Sequence, residues 1–249
     1  MAGHSKWASI KHKKKAVDAK RGALFTKLTR AITVAARDGG DPEGNPALAL
    51  AVQKARDASM PKDNIERAIA KGTGADSDAD SFEEVLYEGY GPGGVAILVE
   101  TLTDNRNRTG SEVRHAFTKH GGNLGEPGSV AWTFEKKGEL VVDGSRYSED
   151  DLLAAIDAGA EDVSLDGDVW EIVTAPSDVA AVRDTLTAEG VEIESAELVQ
   201  RPTTRTPVEE DRVAGLMRLI EALEDSDDVQ AVHANFDVDS EVLERVAAT

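Results

Sequence analysis

The sequence predicts a multidomain α+β protein: an N-terminal three-helix domain followed by two α+β domains, ferredoxin-like or similar, one inserted in the other. Three observations predict it. Apolar residues recur at helical spacing through the first 74 residues; strand-like alternation begins past residue 82; and residues 135–200 carry the order β-α-β-β-α-β. A chain of 249 residues has room for two or three domains. Aromatics make up only 4% of it, so Ala, Val, Leu and Ile must build the cores.

Residues 6–15 lack periodicity and read as a basic arm. Leu24, Leu28, Ala31, Ile32 and Ala35 then trace one helical face over 16–37, closed by Gly39-Gly40. Asn45-Pro46 supplies an N-cap and a first-turn proline for a second helix carrying Leu48, Val52 and Ala55, which Pro61 breaks. In the third helix Asp63 and Glu66 are spaced as a capping box, and Gly72 is the stop. The small acidic stretch 74–81 reads as a linker.

Past it, 84–90 alternates, with Val85 and Tyr87 on one face and Leu86 on the other. Gly91 to Gly94 turn, and 95–101 is a buried strand. Asp104 is placed to cap a helix reaching His120, GGNLGEPG is a glycine-rich loop, and 130–135 is a strand. Next come a strand at 140–143, a helix at 148–158 capped by Ser148, strands at 163–165 and 169–174 around Asp166-Gly167, a helix at 176–189 and a strand at 193–199. Residues 201–207 read as a linker, 208–224 as a helix with Val213, Leu216, Leu219, Ile220 and Leu223 inward, and 229–236 as a last strand. A lone helix-strand pair cannot bury a core. The expected domains are therefore 1–74, 82–134 with 207–249, and an insertion at 135–206.

Charge is segregated. The net of −19 divides into +8 over residues 1–74 (15 basic, 7 acidic) and −27 over the rest (13 basic, 40 acidic). A basic end on an acidic body can bind phosphate locally while the body limits unspecific adhesion. Lys6, Lys11, Lys13, Lys14, Lys15, Lys20, Arg21, Lys27 and Arg30 are the candidate nucleic-acid contacts, with Trp7 and His12 able to stack on unpaired bases. For Trp7, burial against the helical domain is the favoured role. Arg106 and Arg108, where a strand meets a helix start, form a second anion candidate. The alternative there is that Asp104 caps the helix while both arginines pair with carboxylates.

Other classes recede. There is no cysteine, no HExxH or GxSxG, no phosphate-loop lysine in either glycine-rich loop, and no i, i+4 histidine pair. His115 and His120 are expected on different helix faces. No catalytic residue, metal, cofactor or small-molecule substrate is expected. The basic, polar start lacks a secretory signal, and no apolar run approaches a bilayer's span, so a cytoplasmic protein without a membrane partner is expected.

Several blocks resemble the YebC/PmpR family: MAGHSKWASIKHKKKAVDAKRGALFTKL, ASMPKDNIERAIAKGTG, YEGYGPGGVAILVETLTDNRNRT, EVRHAFTKHGGNLGEPGSVAWTFEKKG and LEDSDDVQAVHANFD. The match spans nearly the whole chain and is looser over 140–205. Pro127, and His233-Ala234 where an aromatic-histidine pair is usual, depart from it. The resemblance implies a non-enzymatic bacterial protein of three domains, described as a transcriptional regulator that binds DNA. Mitochondrial relatives are described as translational activators, which brings in ribosomal RNA, tRNA and the ribosome as alternative partners. It also implies that the basic face of the N-terminal domain binds nucleic acid, which falls here on the nine cations from Lys6 to Arg30. The helices' polar faces carry Lys, Arg and Thr but few Asn or Gln for base readout, which suits RNA or a ribosome surface. A third alternative is a protein-interaction module in which the arm plays no part.

Overall fold

The computed structural model describes residue 7, residues 19–74 (side chains from residue 22) and residues 82–247. The expected basic arm (Trp7 apart) and the stretch 75–81 lie outside the described residues. Helices α1 (Ala19–Ala35), α2 (Pro46–Asp57) and α3 (Lys62–Gly72) pack around Leu28, Ile32, Leu48, Val52 and Ile65. Gly72 lets α3 close on α1, since a methyl there would sit 2.2 Å from the Thr33 carbonyl oxygen. Asn45 caps α2 by accepting the Leu48 N–H at 3.1 Å, and its amide donates to the carbonyls of Ala35 and Gly39 at 2.7 and 2.9 Å. The expected Asp63/Glu66 capping box does not form. Pro61 takes the N-cap position, where it offers no side-chain acceptor, and Asp63 falls inside the first turn.

The first sheet holds β1 (Glu83–Tyr90), β2 (Ala96–Thr103), the short β3 (Asn123–Leu124) and β9 (Val229–Ala234), all antiparallel, in the order β3-β1-β2-β9. Helices α4 (Arg106–Lys119), α7 (Glu210–Glu224) and α8 (Ser240–Ala247) share its main core, built on Val95, Ile97, Val99, Phe117, Leu216, Ile220 and Leu243. Trp7 is 3% exposed and belongs to this core. That corrects the expectation that it packs against the helical bundle. The opposite face carries a smaller cluster of Ala96, Leu98, Val130 and Phe134.

The second sheet holds β4 (Phe134–Asp143), β5 (Ala160–Asp166), β6 (Val169–Thr174) and β7 (Ile193–Pro202), all antiparallel, in the order β5-β6-β4-β7. Its core takes Leu140, Val142, Leu152, Ile172, Val182 and Leu186 from the strands and from the segments around α5 (Leu153–Asp157) and α6 (Val179–Ala188). The strands expected at 130–135 and 140–143 are one element here. A 3-10 turn (Ala131–Thr133) precedes β4, whose first residue Phe134 already pairs with Pro202 of β7. The first sheet is completed instead by β3, inside the glycine-rich segment. The expected 201–207 linker is also partly strand: Arg201 and Pro202 close β7, and β8 (Thr206–Pro207) runs parallel to β10 (Phe236–Asp237).

Candidate nucleic-acid interface

Of the nine N-terminal cations, Lys6, Lys11, Lys13, Lys14 and Lys15 lie outside the described residues. Lys20 and Arg21 sit at the start of α1. Lys27 and Arg30 are spent inside the molecule. Lys27 Nζ donates to the Glu224 carbonyl at 2.5 Å, and Arg30 Nη1 donates to the Asp227 carbonyl and to Asp228 Oδ1, both at 2.6 Å. The physical reason is the C-terminus of α7, whose last carbonyls have no intrahelical partner and carry partial negative charge. Arg37 adds a bond to the Phe82 carbonyl at 2.8 Å, Arg30 stacks over the Phe82 ring, and Lys54 reaches Glu197 of β7 at 2.7 Å. The bundle thus docks on the acidic body through its own cations.

Asp228 is the centre of that junction. It is 3% exposed and accepts from Arg30, from Arg108 at 2.7 Å and from the Thr109 hydroxyl at 2.5 Å. Burial alone would raise its carboxyl pKa; the bonds from Arg108, Thr109 and Arg30 outweigh burial and hold it below the usual range. Arg108 also pairs with Asp104 at 2.8 Å, and Arg106 faces Glu83 at 3.5 Å. Both arginines therefore carry carboxylates, the alternative to a free anion site. Asn105, rather than Asp104, caps α4 by accepting the Arg108 N–H.

The glycine-rich loop after α4 has its anion built in. The buried Glu88 carboxylate accepts the N–H groups of Gly128, Val130 and Ala131 at 2.6, 2.7 and 2.7 Å. Burial would raise its pKa, and these three bonds pull it below the ordinary value instead. A phosphate cannot use amides already taken by a carboxylate. The other glycine-rich segment is a turn, with Gly93 and Gly94 at φ +80° and +75°.

His233, near the end of β9, links the two sheets. Its Nδ1 accepts the Gln200 N–H at 3.3 Å, and Gln200 Nε2 donates to Glu100 at 3.2 Å. A cavity of about 290 Å³ on the second sheet is lined by Glu135, Lys137, Glu161 and Arg201; Lys137 pairs with Glu135 and Glu161, and Arg201 with Glu139 and Glu171. Among the described residues no cluster of His, Asp and Glu could hold a metal ion, and no helix is long and apolar enough to cross a membrane.

Sequence reasoning passed over one exposed aromatic. Trp132 is 73% exposed, and its indole N–H donates to the Ser129 carbonyl at 3.1 Å. Tyr90, 41% exposed, donates its hydroxyl to the same carbonyl at 3.0 Å. A tryptophan just past a glycine- and proline-rich turn was the available signal.

Comparison with known proteins gives one result throughout. A family model described as "TACO1/YebC protein N-terminal domain" matches residues 5–75, and one described as "TACO1/YebC second and third domain" matches 82–236. A protein of Rubrobacter xylanophilus is 58% identical over 99% of this chain and all of its own length, and one of Acidothermus cellulolyticus is 55% identical over the same shares. Each is named "Probable transcriptional regulatory protein". The crystal structure of a conserved hypothetical protein, Aq1575, from Aquifex aeolicus superposes with a TM-score of 0.82 at 49% identity, covering 90% of this chain and 93% of that one.

Proposed function

Because the chain belongs to the TACO1/YebC family, we propose that it is a non-enzymatic regulator of gene expression that binds nucleic acid through its basic N-terminal domain. The contacts in this reading are Lys6, Lys11, Lys13, Lys14, Lys15, Lys20 and Arg21, while Lys27 and Arg30 anchor the domain to the body. Three units carry it: 1–74, 82–134 with 207–249, and an inserted 135–206. One observation supports the reading above all. A block of net +8 precedes a block of net −27. Polyanion binding of this kind releases counterions, so affinity must fall steeply with salt.

The relatives' name favours a DNA target. A ribosome-bound role is the second reading, favoured by polar helix faces rich in Lys, Arg and Thr and poor in base-reading Asn or Gln. Co-sedimentation with purified ribosomes across a salt series, with promoter-length duplex as competitor, separates them. The chain with Lys13, Lys14 and Lys15 changed to Glu runs alongside. Retention despite excess duplex, lost in the variant, supports the ribosome; release into tight, sequence-dependent duplex binding supports transcription. Affinity that is flat with salt and unchanged by the variant removes phosphate contact as the driver and favours a protein-interaction module.

A further inference from the structure

Seven large hydrophobic side chains are exposed among the described residues, and three of them fall within residues 153–165. Leu153 and Ile156 of α5 and Leu165 of β5 are 52%, 56% and 54% exposed. β5 is the outer strand in the order β5-β6-β4-β7. Leu165 pairs with Trp170 and Val163 with Ile172, which in turn oppose Val142 and Leu140 of β4. Opposed side chains share a face, so Leu165 stands on the core side of the sheet, at its open edge. It leans on the end of β4, since a methyl on Gly144 would lie 2.9 Å from Leu165 Cδ1.

The two helix side chains turn toward the same edge. Leu152 and Ala155 are fully buried in the second sheet's core, against which Val163 and Trp170 pack. β4 and β5 are both antiparallel to β6, so they run parallel to each other, and α5 belongs to the crossover between them. Such crossovers are right-handed. Each residue of an α-helix is rotated about 100° from the last. In this crossover that sense carries Leu153 and Ile156, each one step past an inward residue, to the β5 side of the helix. The three exposed side chains thus form an apolar ridge along the outer edge.

The ridge is set in unrelieved negative charge. Residues 149–168 hold eight acidic residues and no Lys, Arg or His. Asp150 and Asp157 stand one turn before and one turn after Leu153. The cations that flank this stretch in sequence, Arg146 and Arg183, pair elsewhere, with Glu192 and Asp184. Among the described residues, Asp150 and Asp157 are left without a cation in ion-pair range. Nucleic acid is repelled from such a surface. A second copy meeting it face to face would set the same carboxylates against each other. Strand addition is opposed too: β5 carries Glu161, Asp162 and Asp166, and its register slips between Ala160 and Asp162. Charges and bulges of that kind keep an edge from accepting another strand. A cationic helix with one apolar face satisfies both the ridge and its charge.

We propose that Leu153, Ile156 and Leu165 dock a Lys- or Arg-rich amphipathic helix of a partner protein, its apolar residues on the ridge and its cations facing Asp150 and Asp157. This goes beyond nucleic-acid binding by the basic domain and gives the acidic unit a partner of the opposite charge.

The test titrates the full chain, without nucleic acid, into a short fluorescein-labelled peptide of Lys and Leu whose leucines recur at i, i+3, i+4 and i+7. A scrambled peptide of the same composition, with no apolar face, runs beside it. Anisotropy should show the patterned peptide bound about tenfold more tightly, the ridge being reburied only under that one. Leu153→Gln/Ile156→Gln and, separately, Leu165→Thr should each remove most of the preference. Asp150→Asn/Asp157→Asn should weaken both peptides by about threefold and flatten the salt dependence. All of these side chains are exposed, so thermal melts should match the parent. Equal binding of the two peptides, or a preference that survives both apolar variants, means that the surface attracts charge alone and overturns the proposal. Absence of binding at low salt overturns it as well. Sedimentation equilibrium of the chain alone should give the same mass for parent and Leu153→Gln/Ile156→Gln; self-association lost in the variant would assign the ridge to a second copy instead. Because no nucleic acid is present, failure here leaves the reading of the basic domain standing.

Discussion

Glu88 and Asp228 are buried carboxylates on which neighbouring elements converge, and each was one acidic residue among 47 in the sequence. Charge asymmetry revealed that the N-terminal block seeks anions. It could not reveal that Arg30 finds Asp228, because that pairing spans 198 residues. Arg106 and Arg108 were read as cations at a helix start, and only the fold brings Glu83 and Asp228 to them. Glu88 supports a direct prediction. Its pKa is depressed, so its contribution to stability is complete above the unfolded carboxylate value and is lost as pH falls through the lower folded value. Glu88→Gln keeps the shape but gives up charge-assisted bonds to three N–H groups, and should destabilise by about 2 kcal/mol near neutral pH. Urea titrations of parent and variant should converge as pH falls from the ordinary glutamate range through the lower folded value, where Glu88 protonates and comes to resemble the amide. A constant gap from neutral to acid pH would mean that packing, rather than ionisation, carries the difference.

At the scale of elements, long periodic segments were legible and short ones were not. Pro46 to Asp57 and Glu210 to Glu224 were visible because apolar residues repeat at 3.6-residue spacing around a core. β3 has two residues and no pattern of its own, so only its pairing with Gly89 and Tyr90 defines it. β4 was split in two because Lys136, Lys137 and Gly138 interrupt its apolar residues, and β7, joined by β6 from Gly138 onward, holds it extended across them. Ser240 to Ala247 was passed over because a single eight-residue helix offers little repetition, although Leu243 is fully buried. Asn45 was the cap read most directly, and it does more than cap, since its amide also ties α2 to the carbonyls ending α1. Asn45→Ala should therefore cost about 2 kcal/mol, toward the upper end for loss of an N-cap. Thermal denaturation followed by helix circular dichroism measures it. A loss no greater than a few tenths would show that solvent replaces all three bonds.

At the scale of the molecule, the helical bundle, the first sheet and the second sheet each have a separate hydrophobic cluster, joined by polar contacts and by the small cluster of Ala96, Leu98, Val130 and Phe134. The second sheet leaves and re-enters the first at one point. Phe134 pairs with Pro202, and Thr203 N–H donates to the Thr133 carbonyl at 2.8 Å, so the ends of 135–202 are already side by side. Few bonds beyond these cross the boundary: the Glu100–Gln200–His233 cluster and the Lys54–Glu197 pair, the latter exposed and worth little. A chain in which residues 135–202 are replaced by a short Gly-Ser link should therefore fold, because the first sheet keeps all four of its strands and the core beneath α4 and α7. The loop closure this removes costs only a logarithm of its length. Cooperative thermal unfolding of the shortened chain is the expected result. Non-cooperative melting would mean that the second sheet is part of one folding unit, and the three-unit division would then fail. If the shortened chain folds and still binds nucleic acid, the contacts assigned to the N-terminal domain suffice without the acidic insertion, leaving that unit for a partner other than nucleic acid.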